Sequence, residues 1–172
     1  MTKSILRKYA KLIVQMGVNI KKGQGAVILA DTAQSEIALM VAEEAYRAGA
    51  KWVDVRWTNQ DLDKMRYKKE SVKVLSATQE WEKARMQYEL DELPVRIWID
   101  SDDPDGLKGV NVEKMQKANL ARMKVRKPYR DAMENKYQWT IVAVPSAKWA
   151  KKVFPNDRTS VAVKKLWDAI LQ

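Results

Sequence analysis

The most constraining stretch of this chain is Ala26-Val27-Ile28-Leu29-Ala30, five apolar residues with no polar interruption, entered through the turn Lys21–Gly25. A strand with one wet face would alternate. An unbroken apolar run of strand length reads as a strand buried on both faces, as in a parallel sheet. Asp31–Ser35 then hands over to a helix in which Ile37, Met40, Val41, Ala45 and Ala48 share a face and Gly49 stands at the C′ position. Trp52–Trp57 is a second strand. Strand, helix and strand in this order form a βαβ unit, whose crossover is right-handed in nearly every known case.

The same reading extends along the chain. Ser4 is placed as the N-cap of a first helix in which Ile5, Leu6, Tyr9, Leu12, Ile13 and Met16 recur until Gly17. Asn59–Lys69 reads as helical and basic, and a longer helix from Thr78 or Gln79 to Leu93 is stopped by Pro94. Val95–Asp100 is a third strand, followed by the acidic turn Asp102–Gly106. A helix over about Val112–Val125 is then broken or kinked by Pro128. Tyr137–Val144 is a fourth strand ended by Pro145, and Ala147–Lys152 is a short helix. Ser160 caps a last amphipathic helix through Val163, Leu166, Trp167 and Ile170. The alternation predicts one domain over residues 1–172, a layered α/β/α fold with a mainly parallel sheet of at least four strands.

The residues absent from the chain exclude more chemistry than those present suggest. There is no histidine and no cysteine. Ser-His-Asp and Cys-His catalysis lack their imidazole, and the usual zinc sites lack their ligands. A carboxylate-only Mg²⁺ or Ca²⁺ site is left open by this argument. The one carboxylate cluster, Asp100–Gly106, fails the EF-hand register: counted from Asp100, Pro104 falls fifth, Asp105 sixth and Asn111 twelfth. Turn chemistry explains its Asp, Pro and Gly unaided, although the carboxyl end of a strand is where open α/β sheets place ligands. Gly23-Gln24-Gly25 precedes a strand, whereas a phosphate-cradling loop follows one, and the loop Asp31–Ser35 has no glycine. Dinucleotide and P-loop binding are therefore not expected.

Net charge is 32 − 22 = +10, arranged in alternating blocks. Residues 25–63 sum to −4 and 76–106 to −6, while 1–24, 64–75, 107–136 and 137–172 are basic. The richest basic segment holds Lys114, Lys117, Arg122, Lys124, Arg126, Lys127 and Arg130, which spread round a helix and read first as a solvated face. A stand-alone nucleic-acid-binding protein is the alternative reading, and no single basic tail supports it. Of seven tryptophans, Trp52, Trp57, Trp98 and Trp139 fall in predicted strands, where core packing is expected. Trp149 and Trp167 sit on C-terminal helices, where an interface is as reasonable as a core. No stretch nears the roughly 18 apolar residues of a membrane span, and the charged N-terminus is unlike a signal peptide. Cytoplasm is the expected location.

Several segments resemble one family in collinear order: Tyr9–Val14 with Gly17, Val41–Ala50, Val55–Trp57, Asp103–Asp105 with Leu107–Val110, and Lys127–Arg130. The most specific are Trp139–Pro145 and Trp149–Pro155. Together they resemble the N-terminal domain of the aminopeptidase T/AmpS/PepS metalloaminopeptidases. The resemblance implies a cytosolic exopeptidase that removes N-terminal residues from peptides with two divalent ions, zinc or cobalt. Their ligands belong to a C-terminal catalytic domain, so none is carried onto a residue here. It also implies a homodimer, and an N-terminal domain that supports dimerisation and encloses the substrate cavity. On that likeness Arg56, Trp57, Asp103, Asp105, Lys108, Trp139, Pro145, Trp149 and Trp167 are candidates for interface or cavity-lining positions.

Overall fold

The computed structural model describes all residues, 1–172. Four strands, β1 (Gly25–Asp31), β2 (Trp52–Thr58), β3 (Val95–Asp100) and β4 (Trp139–Ala143), form one parallel sheet in the order β2-β1-β3-β4. The apolar run that predicts a doubly buried strand is β1, hydrogen-bonded on both sides, with Ala26, Val27 and Ile28 fully buried. The predicted layered α/β fold with a parallel sheet is the fold observed.

Helix placement follows from strand order. The chain steps from β1 to β2 in one direction, then returns across β1 to β3 and continues to β4. Right-handed crossovers with such a reversal put the first connecting helix on one face and the later ones on the other. The first is α2 (Ser35–Arg47), which with α1 (Lys3–Leu12) and the later α8 (Thr159–Ile170) covers Ala26, Ile28, Ala30, Ile97 and Ile99 in the main core. After β2 come α3 (Gln60–Lys69), α4 (Val72–Ser76) and α5 (Glu80–Glu92); α6 (Val112–Met133) follows β3. Arg56 of β2 and Arg96 of β3 both reach Glu89 of α5, so α5 lies over the opposite face. The short α7 (Ala147–Val153) packs on α8 through Ala150, Ala162 and Leu166. No helix is long and apolar enough to cross a membrane.

Several local expectations need correction. Thr2, not Ser4, caps α1, its side chain accepting from the Ile5 amide. α6 runs through Pro128 to Met133 without breaking. The proline costs one backbone bond in the last turns, while Met133 beyond it is buried and keeps the helix docked. Ser160 lies inside α8, which begins after Arg158 without a side-chain cap. The one-turn helix α4, capped by Ser71, has too little periodicity to be read from sequence.

Core packing of the strand tryptophans holds for only part of the set. Trp57 is 44% and Trp139 58% exposed, because β2 and β4 are the two edge strands. Trp52 is half-buried and lies against Gly25, its register partner; a Cβ on Gly25 would stand 2.2 Å from the indole ring. Gly25→Ala should therefore lower the urea midpoint without changing the slope, a loss of about 1–3 kcal/mol read by equilibrium denaturation.

Candidate functional site

The reversal at β1 makes its boundary with β3 the topological switch point, and loops leaving the two strands diverge to opposite faces. The crevice opened there, about 450 Å³, is lined by Asp31, Thr32, Asn59, Gln60, Asp102, Asp103 and Lys148. Side chains tie its rim. Asn59 accepts from the Leu62 amide at 2.9 Å, capping α3, and donates to Thr32 Oγ1 at 3.0 Å. The Gln60 amide pairs with the backbone of Asp103, donating to its carbonyl and accepting from its N–H, both at 3.0 Å. Gly106 leaves room for this, since a Cβ there would meet the Gln60 side chain at 2.2 Å. Lys148 of α7 bridges the crevice at 3.5 Å from Asp61 and 3.8 Å from Asp103.

Asp102 is the residue shared by this crevice and two neighbouring cavities. Partial burial pushes its carboxyl above the ordinary value, and Asp100, Asp31 and Asp63 add to the shift. One neighbour, about 540 Å³, lies on the uncovered part of the sheet against Leu29, Trp98, Trp139 and Ile141. There Trp98 and Trp139 meet edge to face at 6.4 Å, and Ile141 is 60% exposed. The other, about 460 Å³, lies between α3, α6 and the β3 loop and carries Asp63, Arg66, Arg122 and Arg126.

Two buried glutamates organise the arginines around these cavities. Glu89, with only 5% of its side chain exposed, accepts from Arg56 at 2.5 Å and also from Arg96, which stacks on Tyr137. Glu82 accepts from Arg122 and from the Gln79 amide. Burial favours its neutral form, but those two bonds outweigh it and hold the carboxyl below the ordinary value. Nowhere do three His, Cys, Asp or Glu side chains converge as metal ligands, so the residues of this chain do not fit a dinuclear metal centre.

The sequence-predicted positions separate into groups. Asp103 sits in the crevice wall, and Asp105 reaches Lys152 of α7 at 2.7 Å. Lys108 is exposed; Pro145 is buried, its carbonyl accepting from Gln34 at 3.4 Å. Arg56 is absorbed by Glu89 and Asp54. Trp139 lines the apolar cavity, while Trp57 stands apart at the end of β2. Trp149 is half-buried against the α7–α8 contact, and Trp167 is 6% exposed and packed edge to face on Tyr9. For Trp167 core packing is thus what the structure shows. The Asp100–Gly106 cluster, read first as a plain acidic turn with a ligand role left open at the strand end, does place Asp102 in the cavities, whereas Asp63 was missed, because nothing local separates it from other helix-start aspartates. Sequence reasoning also treated α6 as uniformly basic, whereas Arg122, Arg126 and Arg130, at i, i+4 and i+8, line one groove.

Fold and crevice define a doubly wound α/β domain with a charged cleft at its switch point. The family model described as thermophilic metalloprotease (M29) matches residues 2–172, and the chain belongs to that family. Aminopeptidase PepS of Streptococcus thermophilus is 34% identical over 172 residues, covering 99% of this chain and 42% of its own length. Aminopeptidase AmpS of Bacillus subtilis (strain 168) is 32% identical over 168 residues, 97% of this chain and 41% of its own. The structure of wild-type AmpT from Thermus thermophilus matches with a TM-score of 0.88 at 32% identity, over 99% of this chain and 43% of that one. The chain therefore spans about two fifths of the length of the aminopeptidases it matches.

Removing the shared acceptor tests the arginine clamp. Glu89→Ala should destabilise the chain by about 3 kcal/mol in urea denaturation, since it leaves Arg96 without a carboxylate and Arg56 with Asp54 alone.

Proposed function

We propose that this chain is the non-catalytic N-terminal domain of a cytosolic dinuclear-metal aminopeptidase that removes N-terminal residues from peptides. The carrying observation is a match along residues 2–172 to a metalloprotease family by a chain in which no metal donors converge. In this reading the catalytic ions, zinc or cobalt, and their ligands belong to a C-terminal domain. Bound there, such ions would supply the activation of water that attack on the first peptide bond needs. This domain encloses the substrate cavity and supports a homodimer. The uncovered sheet face with Leu29, Trp98, Trp139 and Ile141 suits such a covering role, since exposed apolar surface of this kind marks an interaction site. Arg56, Trp57, Asp103, Asp105, Lys108, Pro145 and Trp149 remain candidates for the same contacts.

The isolated chain should then neither bind Zn²⁺ or Co²⁺ stoichiometrically in calorimetry nor hydrolyse an aminoacyl-anilide. Tight metal binding accompanied by turnover would overturn the proposal.

The row Arg122, Arg126 and Arg130 favours a second reading, an anionic partner such as nucleic acid. That reading predicts retarded mobility of duplex or single-stranded probes at low salt, fading steeply as salt rises through counterion release. Unchanged mobility at low salt would end it.

A further inference from the structure

The apolar residues of the first helix divide between two faces. Leu6, Ala10, Ile13 and Val14 enter the main core and anchor α1 together with the π turn Ile13–Gly17 that continues it. Ile5, Leu12 and Met16 stay outside that core. Leu12 is 54% and Met16 75% exposed, and Ile5 and Met1 are exposed as well. Spacings of four and seven residues put these four on one side of the helix, opposite to no core surface that they could bury.

Unpaired cations border this stripe. Lys8 stands three residues after Ile5 and four before Leu12, which sets it beside both, and Lys11 follows about one turn on. Neither ammonium has a carboxylate within 4.0 Å. The acids of the neighbouring α2 are engaged with other bases. Glu36 lies 3.8 Å from Lys3, Glu43 holds Arg7 at 3.3 Å and Arg47 at 2.5 Å, and Glu44 also holds Arg47 at 2.5 Å. Residues 1–24 as a whole carry six bases and no acid, so α1 itself offers no internal counter-charge.

We propose that this side of α1 docks on an anionic phospholipid surface, with the helix lying in the plane of the interface. Ile5, Leu12 and Met16 enter the boundary between headgroups and acyl chains, while Lys8 and Lys11 lay their aliphatic stems along it and reach the lipid phosphates. Lipid fits this surface better than a folded partner does. The exposed side of a single helix is convex, whereas the anchors of protein interfaces seat in pockets. Nucleic acid fits less well again, because an exposed Leu and Met stripe adds nothing to phosphate-backbone contacts. No spanning segment, metal or peptide chemistry is involved, so the site stands or falls independently of the peptidase reading.

The test is flotation of the chain with phosphatidylcholine vesicles that carry either no phosphatidylserine or about 30% of it. At ~0.1 M salt the anionic vesicles should retain the chain about tenfold better than the neutral ones, and ~0.5 M salt should release most of it. A net charge of +10 attracts any anionic surface, so matched pairs of substitutions decide the location. Lys8→Gln with Lys11→Gln should weaken retention about tenfold, and so should Leu12→Gln with Met16→Gln. Lys68→Gln with Lys69→Gln, on α3, removes the same charge and should leave retention within about twofold. All six side chains are exposed, and circular dichroism checks that each variant keeps its fold. The proposal is overturned if the two lysine pairs lose retention equally, or if the Leu12 and Met16 pair loses none. It is also overturned by sedimentation that shows self-association abolished by that apolar pair. On the unmodified chain alone, equal or absent retention on the two kinds of vesicle overturns it.

Discussion

Everything else in this domain is arranged around the pairing of β1 with strands on both sides while both of its faces are buried over all but its carboxyl end, where Leu29 meets the open cavity. A strand in that position needs apolar residues at every point, and Ala26–Ala30 supplies them. With β2 on one side and β3 on the other, right-handed crossovers send α2 to one face and α5 to the other. The loops after β1 and β3 must then part, and the gap between them is the crevice where Asp31, Asp102 and Asp103 gather. The family's fold thus produces a concave polar site before any particular side chain is considered. Which chemistry fills it is a matter for those side chains.

The alternating charge blocks have a spatial meaning that their order along the chain conceals. The acidic block 76–106 contains α5, and the basic block 107–136 contains α6. Glu82 on α5 holds Arg122 on α6, and Glu89 holds arginines of β2 and β3. Buried carboxylates with several donors fix how neighbouring elements sit, because losing one partner strands a desolvated charge.

Element identity was largely legible because it is encoded locally. The four strands, and the helices after β1, β2 and β3, follow from apolar periodicity, turn residues and Pro94. Boundaries such as Thr2 for Ser4, or the passage of α6 through Pro128, escaped because tertiary packing outweighs cap preference and proline's lost bond. The exposure of Trp57 and Trp139 escaped for a related reason: nothing in a strand's own residues says that it will stand at an edge.

By itself the amino-acid sequence determined that this is a layered, parallel α/β domain. It also excluded imidazole and thiolate chemistry, because those depend on local periodicity and on which atoms exist. The collinear blocks pointed to the family to which the chain belongs. Only the tertiary structure decided that β1 is central, that Trp167 is core, and that Asp102 joins three cavities. Strand order, burial and charge pairing are relations between residues far apart in the chain, set by crossover chirality and packing, and no local pattern records them.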